Sequence, residues 1–402
     1  MTDAARLQLS RMGTAVQESA TLRQATRVAE ARARGERVWN FTVGEPDFEI
    51  APSVRDAAHR AIDAGHTKYT PTAGSFDLRE RVAQYYSRRH GLEWGAREAM
   101  VSAGAKQVLW NALASLVDPG DEVILIAPYW TSYAAYVQLL GGVPRVVRPP
   151  VERDFKACGD DLRAALGPKT RAVLFNDPVN PTGAVYSEDE LRDLFEPLLD
   201  RHVYILSDEI YENLVFEGEH CSVVQVYPQL RDRFVMASGA SKTFAMTGWR
   251  MGFALGPEPL IGAMINLQSH MTGNPNSIAQ RATHAALAIP DAALEPMRQH
   301  FRVRRDASLR ILGQLPELRY TMPRGTFYVF VDVARFFGAW NGGKRIESSD
   351  ALAEHLLGQH HVAVVSGHAF DYPDGVRVSF TLPVDELEEG LDVFVNALRQ
   401  RA

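Results

Sequence analysis

Four short segments of this chain end apolar runs with side chains able to do chemistry. They are Asn176-Asp177-Pro178-Val179-Asn180-Pro181-Thr182-Gly183, Ser207-Asp208-Glu209-Ile210-Tyr211, Ser238-Gly239-Ala240-Ser241-Lys242 and Met246-Thr247-Gly248-Trp249-Arg250. Singly, each has a plain reading: Asn-Pro-Thr-Gly is a common turn, and an Asp after a strand is commonly a helix cap. Together they supply an amide, a carboxylate, a phenol, a lysine and an arginine. A lysine amine attacks a carbonyl carbon to form a Schiff base. A carboxylate facing a ring nitrogen keeps it protonated, so that the ring accepts carbanion electrons. A phenol and an amide hydrogen-bond a ring oxygen, and an arginine holds a phosphate in its fork. These are the requirements of pyridoxal 5′-phosphate, and no metal or nicotinamide cofactor needs them all. No GxGxxG follows a strand and there is no GxxxxGK[ST] loop, which argues against a dinucleotide or nucleotide.

Such a set converges only if successive strand ends of one sheet carry it. Helical periods are predicted over 77–89, 106–117 and 132–140. Short apolar strands are predicted over 100–102, 123–127, 172–175, 203–206, 234–237 and 252–255. Their alternation predicts βαβ units and a mostly parallel sheet, with ligands at the carboxyl ends of the strands. A charged helix over 293–312, strands over 326–331 and 376–380, and helices over 350–357 and from 385 onward read as a smaller α+β region. The first fifty residues hold one helix, 20–34, and the loop Gly44-Glu45-Pro46-Asp47-Phe48. They have no core of their own. The expected division is 1–50 as an arm and part of the small domain, 51–290 as a large domain and 291–402 as a small one.

The chain has 402 residues, 46% apolar and 23% charged, which are ordinary globular values and exclude a collagen-like, disordered or disulfide-framed protein. Its net charge, 43 − 49 = −6, argues against nucleic-acid or anionic-membrane partners. Cys158 and Cys221 sit in no CxxC or Cys/His cluster and read as isolated thiols in a reducing compartment; no metal is expected. The opening MTDAARLQLSRMG lacks an apolar signal core, and no apolar run approaches the roughly 18 residues of a spanning helix. A cytoplasmic protein is expected.

Asn-Pro-Thr-Gly at 180–183, Ser-Asp-Glu-Ile-Tyr at 207–211 and Ser-Lys-x-Phe-Ala-Met-Thr-Gly-Trp-Arg at 241–250 occur in the order found in one family. On these motifs the chain resembles the class I/II aminotransferases, fold-type I pyridoxal-phosphate enzymes, and among them the bacterial aspartate/prephenate-aminotransferase-like branch. The likeness runs from about Gln17 to the end. It implies an α/β large domain with a mostly parallel, seven-stranded-type sheet flanked by helices, and a smaller α+β domain built from both chain ends. It also implies a homodimer with shared active sites and ping-pong transfer of an amine from an L-amino acid to a 2-oxo acid such as 2-oxoglutarate. Residue by residue, Lys242 resembles the Schiff-base lysine that later shuttles the substrate proton, and Asp208 the partner of the pyridine nitrogen. Asn180 and Tyr211 resemble the donors to the ring oxygen, and Trp130 the aromatic stacked on the ring. Gly104-Ala105-Lys106, Ser241 and Arg250 match phosphate contacts, and Tyr69 one that reaches the phosphate of a neighbouring subunit.

On the substrate side, Arg377 matches the arginine that takes the α-carboxylate, and Gly44 a backbone position approaching the same group. Lys106 matches a lysine placed to meet a distal carboxylate, which favours aspartate-like donors, with aromatic ones beside them. Glu18 stands where relatives often carry a basic residue and could pair with Lys106. No arginine lies within 271–276 to serve as a second-subunit carboxylate ligand. Asp177 departs from the family turn, at a position that tolerates variation. Two other readings remain: a different carbanion reaction on the same cofactor (a β-lyase, a synthase or a specialised biosynthetic enzyme), and a non-catalytic effector domain. The presence of Lys242 and Asp208, and the lack of a basic helix-turn-helix segment, speak against the second.

Overall fold

The computed structural model describes residues 9–15, 20–340, 343 and 345–401; Gln17 and Glu18 lie outside them. Seven strands form the main sheet: β1 (Ala99–Ala103), β2 (Glu122–Ile126), β3 (Val143–Val147), β4 (Thr170–Asn176), β5 (Tyr204–Asp208), β6 (Phe234–Gly239) and β7 (Met251–Leu255). Their order is β1-β7-β6-β5-β4-β2-β3. Only β7 runs antiparallel to its neighbours, β1 and β6; the rest pair in parallel. The α/β expectation is met, each predicted strand lying within a residue or three of its observed ends.

Near-continuous apolar sequences make these strands because helices cover both faces. Side chains alternate between them. Val101, Phe175, Ile205, Met236 and Phe253 face one core with Val82, Tyr86 and Leu194. Met100, Leu174, Leu206, Val235 and Ala254 face the other, against Val108, Leu109 and Leu113 of the helix Ala105–Leu116. Burial of each large apolar side chain contributes about 1.5–3 kcal/mol. Strand β3 was not predicted. Pro144 and Arg145 interrupt its apolar pattern, which the sheet permits because β3 is an edge.

A second, antiparallel sheet contains β8 (Arg319–Tyr320), β9 (Tyr328–Asp332), β10 (Val365–Ser366) and β11 (Gly375–Ser379), in the order β10-β11-β9-β8. It shares a core with the helices Glu295–Leu312, Ser349–His360 and Val384–Leu398 through Phe301, Leu312, Val329, Leu352, Leu391 and Phe394. The chain's early segment belongs to this core. Trp39–Asn40 pairs in parallel with Val362–Ala363, and Phe41 is fully buried beside it. The second sheet is thereby brought over the edge of the first where β4, β5 and β6 end and β7 begins.

Candidate active site

A cavity of about 490 Å³ lies between the two sheets. Lys242, Asp208, Asn180, Arg250, Trp130 and Arg377 line it, and so do Gly44, Ala105, Lys106, Tyr211 and Ser241. Gly104 does not line it but packs against Arg250, which does. The sequence-named residues therefore converge, with the exception of Tyr69. That ring is 98% exposed and lines a separate surface groove with Lys68 and Asn274.

Asp208 ends β5 and is buried. Its Oδ2 accepts a 2.7 Å hydrogen bond from Tyr133 Oη, and its Oδ1 a 3.3 Å bond from the Ile210 N–H. Burial pushes its pKa up to about 6, opposed by these bonds and by the charge of Lys242. Asn176 Nδ2 donates to the Asp208 carbonyl (2.8 Å), and Asn176 Oδ1 accepts from the Asn180 N–H (2.8 Å). The turn that carries Asn180 is thus locked to the end of β5.

Lys242 lies on the single helical turn Ala240–Thr243 that follows β6. Its Nζ donates to the Gly44 carbonyl. Burial brings its pKa down to about 8, with the charges of Arg377 and Arg250 adding to the effect and those of Glu45 and Asp208 opposing it. Tyr211 Oη lies 3.0 Å from Tyr328 Oη.

An anion cradle forms where β1 passes into the helix Ala105–Leu116, whose first N–H groups are unpaired within the helix. Gly104 has φ +85°, and a Cβ there would come 2.4 Å from Arg250 Nη2. At Gly252 a Cβ would meet the Gly104 carbonyl carbon at 2.2 Å. Two glycines therefore let the guanidinium approach the helix N-terminus, and β7 approach both. Arg250 adopts φ +55° and donates through Nη1 to the Thr247 carbonyl (2.8 Å). Lys106 Nζ stands 4.9 Å from the centroid of the Trp130 ring, has no acidic partner among the described residues, and titrates below the usual lysine range through burial and the charge of Arg250.

Arg377 comes from β11 and is 2% exposed. Its Nη1 donates to Asn180 Oδ1 (3.1 Å), its Nη2 to the Thr42 carbonyl (2.9 Å), and its Nε has no partner. The guanidinium carbon lies 4.2 Å from the Tyr328 ring centroid. Among the described residues no carboxylate pairs with it. A buried, unpaired guanidinium is costly unless an anionic ligand completes it.

Tyr133, Tyr328, Thr42 and Glu45 were missed in the sequence. No sequence signal marked them: Tyr133 lies in the first turn of the helix Ser132–Leu139, while Trp130 precedes that helix, so no helical spacing links the two rings. Glu45 Oε2 accepts from Thr247 Oγ1 (2.7 Å), joining the loop over the cavity to the segment between Lys242 and Arg250.

The donor set fits pyridoxal phosphate. A helix N-terminus, a guanidinium and a hydroxyl suit its phosphate, a buried carboxylate its ring nitrogen, and a lysine of lowered pKa its carbonyl. Such an arrangement defines an α/β enzyme built around a carbonyl-reactive lysine and anion-binding corners. Comparison with known proteins agrees: the family model for aminotransferase class I and II matches residues 36–394. The chain is 39% identical to an aspartate aminotransferase of Geobacillus stearothermophilus, over 98% of this chain and 100% of that one. It is 41% identical to an aspartate/prephenate aminotransferase of Cereibacter sphaeroides, over 93% and 94%. The crystal structure of a Rhizobium meliloti aspartate aminotransferase superposes with a TM-score of 0.94 at 37% identity, covering 98% of this chain and 100% of that one. A Thermus thermophilus aspartate aminotransferase with maleate gives 0.91 at 38% identity, over 97% and 100%. This chain belongs to the class I and II aminotransferases and is an aminotransferase enzyme. Among the described residues no helix is long and apolar enough to cross a membrane.

Proposed function

We propose that the chain is a pyridoxal-phosphate-dependent transaminase that takes the amine of a dicarboxylic L-amino acid, aspartate foremost, and passes it to a 2-oxo acid such as 2-oxoglutarate. The observation that carries the transaminase reading is Arg377, a buried guanidinium with no acidic partner among the described residues, aimed at the cavity that holds Lys242; the preference for a second carboxylate rests on Lys106. When bound, the cofactor supplies an electron sink for the substrate's Cα.

The chain's own residues do the rest. The helix N-terminus at Gly104-Ala105-Lys106, Ser241 and Arg250 hold the phosphate. Asp208, held by Tyr133, keeps a proton on the ring nitrogen. Asn180 and Tyr211 serve the ring oxygen, and Trp130 covers the ring face. Arg377 and the backbone at Gly44 orient the α-carboxylate, leaving Lys242 Nζ to take the Cα proton and return it. Lys106, beside Trp130 and without an acidic partner among the described residues, receives the distal carboxylate. The maleate held by the Thermus thermophilus relative is likewise a dicarboxylate. Leu22 and Ala25 add an apolar wall to the cavity, which favours aromatic donors as the second class.

In the same reading residues 51–290 carry the cofactor, while 1–50 and 291–402 close on the substrate. Two chains assemble so that the exposed Tyr69 of each completes the other's site.

The test is a half-reaction panel: the cofactor-loaded protein is mixed with single amino acids while the cofactor absorbance is followed. Aspartate and glutamate should shift the band and 2-oxoglutarate restore it. An unchanged band with every amino acid would refute transamination. A response confined to basic amino acids would overturn the part assigned to Lys106.

A further inference from the structure

Behind Asp208 lies a polar cluster that the transaminase reading does not use. Successive strand residues point to opposite faces. Asn176 and Asp208 line the cavity at the ends of β4 and β5, and the residues after them, Asp177 and Glu209, turn away into the interior. Both are 1% exposed, and Glu212 nearby is 7% exposed. His220, whose side chain is 10% exposed, joins them from the segment after Phe216.

One oxygen of each carboxylate is fixed. Glu209 Oε1 accepts from Ser207 Oγ (2.8 Å) and Ser222 Oγ (2.7 Å), and Asp177 Oδ1 accepts from the Tyr186 N–H (3.0 Å). Glu209 Oε2, Asp177 Oδ2 and His220 Nε2 have no hydrogen-bond partner. These orphans gather around the imidazole, 3.7 Å separating His220 Nε2 from Asp177 Oδ2 and 3.9 Å separating it from Glu209 Oε2. Glu212 brings a carboxylate oxygen within 4.8 Å of the ligand atoms of both Glu209 and His220.

The spacing discriminates between occupants. It exceeds the about 2.7–3.0 Å of a direct hydrogen bond. Two atoms sharing one water in tetrahedral directions stand about 4.6 Å apart, from a hydrogen bond of about 2.8 Å. Two ligands of a tetrahedral zinc at about 2.1 Å stand about 3.4 Å apart. The two separations from His220 Nε2, 3.7 and 3.9 Å, lie nearer the metal value. A carboxylate with one oxygen held by hydroxyls or a backbone N–H, and the other left open, is how a protein orients a monodentate ligand. His90 is excluded as a ligand. Its Nδ1 accepts from Trp94 Nε1 (3.2 Å), so its Nε2 carries the proton, 3.8 Å from Glu209 Oε2. Three carboxylates share this interior, and Arg89, which favours the charged form of Glu212, is itself paired with Asp291.

We propose that Glu209, Glu212 and His220 each give one ligand atom to a binding site for one divalent cation of the zinc class, with Asp177 Oδ2 facing the same imidazole from behind. The ion would tie the end of β5 to the segment bearing His220, on the side of the sheet opposite the cofactor. The chain contributes no thiolate to it, consistent with a site invisible to Cys/His spacing.

The test is metal analysis of holoenzyme produced with zinc(II) and dialysed, with cobalt(II) substituted in a second preparation. The parent should hold roughly one zinc per chain and show the visible d–d bands of tetrahedral cobalt, at longer wavelength than the cofactor. His220→Gln should lose at least about nine-tenths of the metal and the bands. Glu209→Gln, whose amide oxygen can retain the serine hydrogen bonds, is the second variant should the first not fold. Parent protein without zinc would overturn the proposal, and so would equal zinc in the parent and a folded variant.

Discussion

Lys242 reacts only when its Nζ is neutral, so its pKa of about 8 has a kinetic consequence. Cofactor-free protein should capture pyridoxal phosphate at a rate that rises with pH through a midpoint near 8. Glu45→Gln removes a charge that favours the ammonium form, so the midpoint should move down; stopped-flow absorbance at several pH values reads it, and an upward shift would refute the assignment. The lysine's folded pKa lies below its ordinary 10.5, so its contribution to stability is complete above 10.5 and is lost as pH falls through about 8. Asp208 has the opposite sign. Its contribution is complete below 3.8 and is lost as pH rises through about 6. At Lys106, substitution by Ala should lower kcat/KM for aspartate by about thirtyfold, or about 2 kcal/mol. The loss for an apolar donor should be far smaller. Equal losses would show that Lys106 serves only the phosphate or the fold. The residues legible in the sequence were those whose type is unusual at a strand end: a Lys, an Asp and an Arg ask for a reason. Tyr133 and Tyr328 were not legible, because a tyrosine in an apolar pattern reads as core until its hydroxyl partner is seen.

Among the elements, the meeting of β7 with the start of the helix Ala105–Leu116 is the tightest constraint. Gly252→Ala forces a Cβ against backbone 2.2 Å away. It should cost about 1–3 kcal/mol or more in unfolding free energy and weaken cofactor binding together. Stability loss with unchanged cofactor affinity would show that the cradle does not depend on this contact. The loop over the cavity is held from the long helix Glu295–Leu312. Arg304 grips Asp47 through two 2.7 Å bonds and also donates to the Thr381 carbonyl (3.0 Å). Asp47→Asn should cost about 1.5–3 kcal/mol and raise KM for the amino acid more than it lowers kcat. The same loop carries Thr42 and Gly44, so a pure loss of kcat would contradict this. Six of the seven main-sheet strands were legible because short apolar runs alternate with longer helical periods, and only β3, broken by Pro144 and Arg145, escaped. Strand direction was not. Periodicity is the same read either way, and the reversal of β7, which brings Arg250 to the ligand edge at its start rather than its end, appears only in three dimensions.

For the whole molecule, the proposed exchange of Tyr69 between two copies makes a mixing prediction. Lys242→Ala and Tyr69→Ala chains should each be impaired, and co-refolded hybrids should recover about a quarter of parental activity, since half the dimers carry one intact site. Failure of the mixture to exceed its components would place Tyr69 outside the site. Assembly of this kind is an expectation drawn from family resemblance alone, because one chain's sequence does not say which exposed ring would meet a second copy.

The pairing of Trp39–Asn40 with Val362–Ala363 also sets an order of events during synthesis. The early segment emerges with Trp39 and Phe41 uncovered, and its partner strand follows 363 − 40 = 323 residues later. At about 5–20 residues per second the wait is about 16–65 seconds. Throughout it the Thr42 carbonyl and the Gly44 backbone have neither Arg377 nor the second sheet to rest on. The carboxylate corner is therefore the last part of the site to come into being, and the nascent chain must shelter Phe41 from other chains until then.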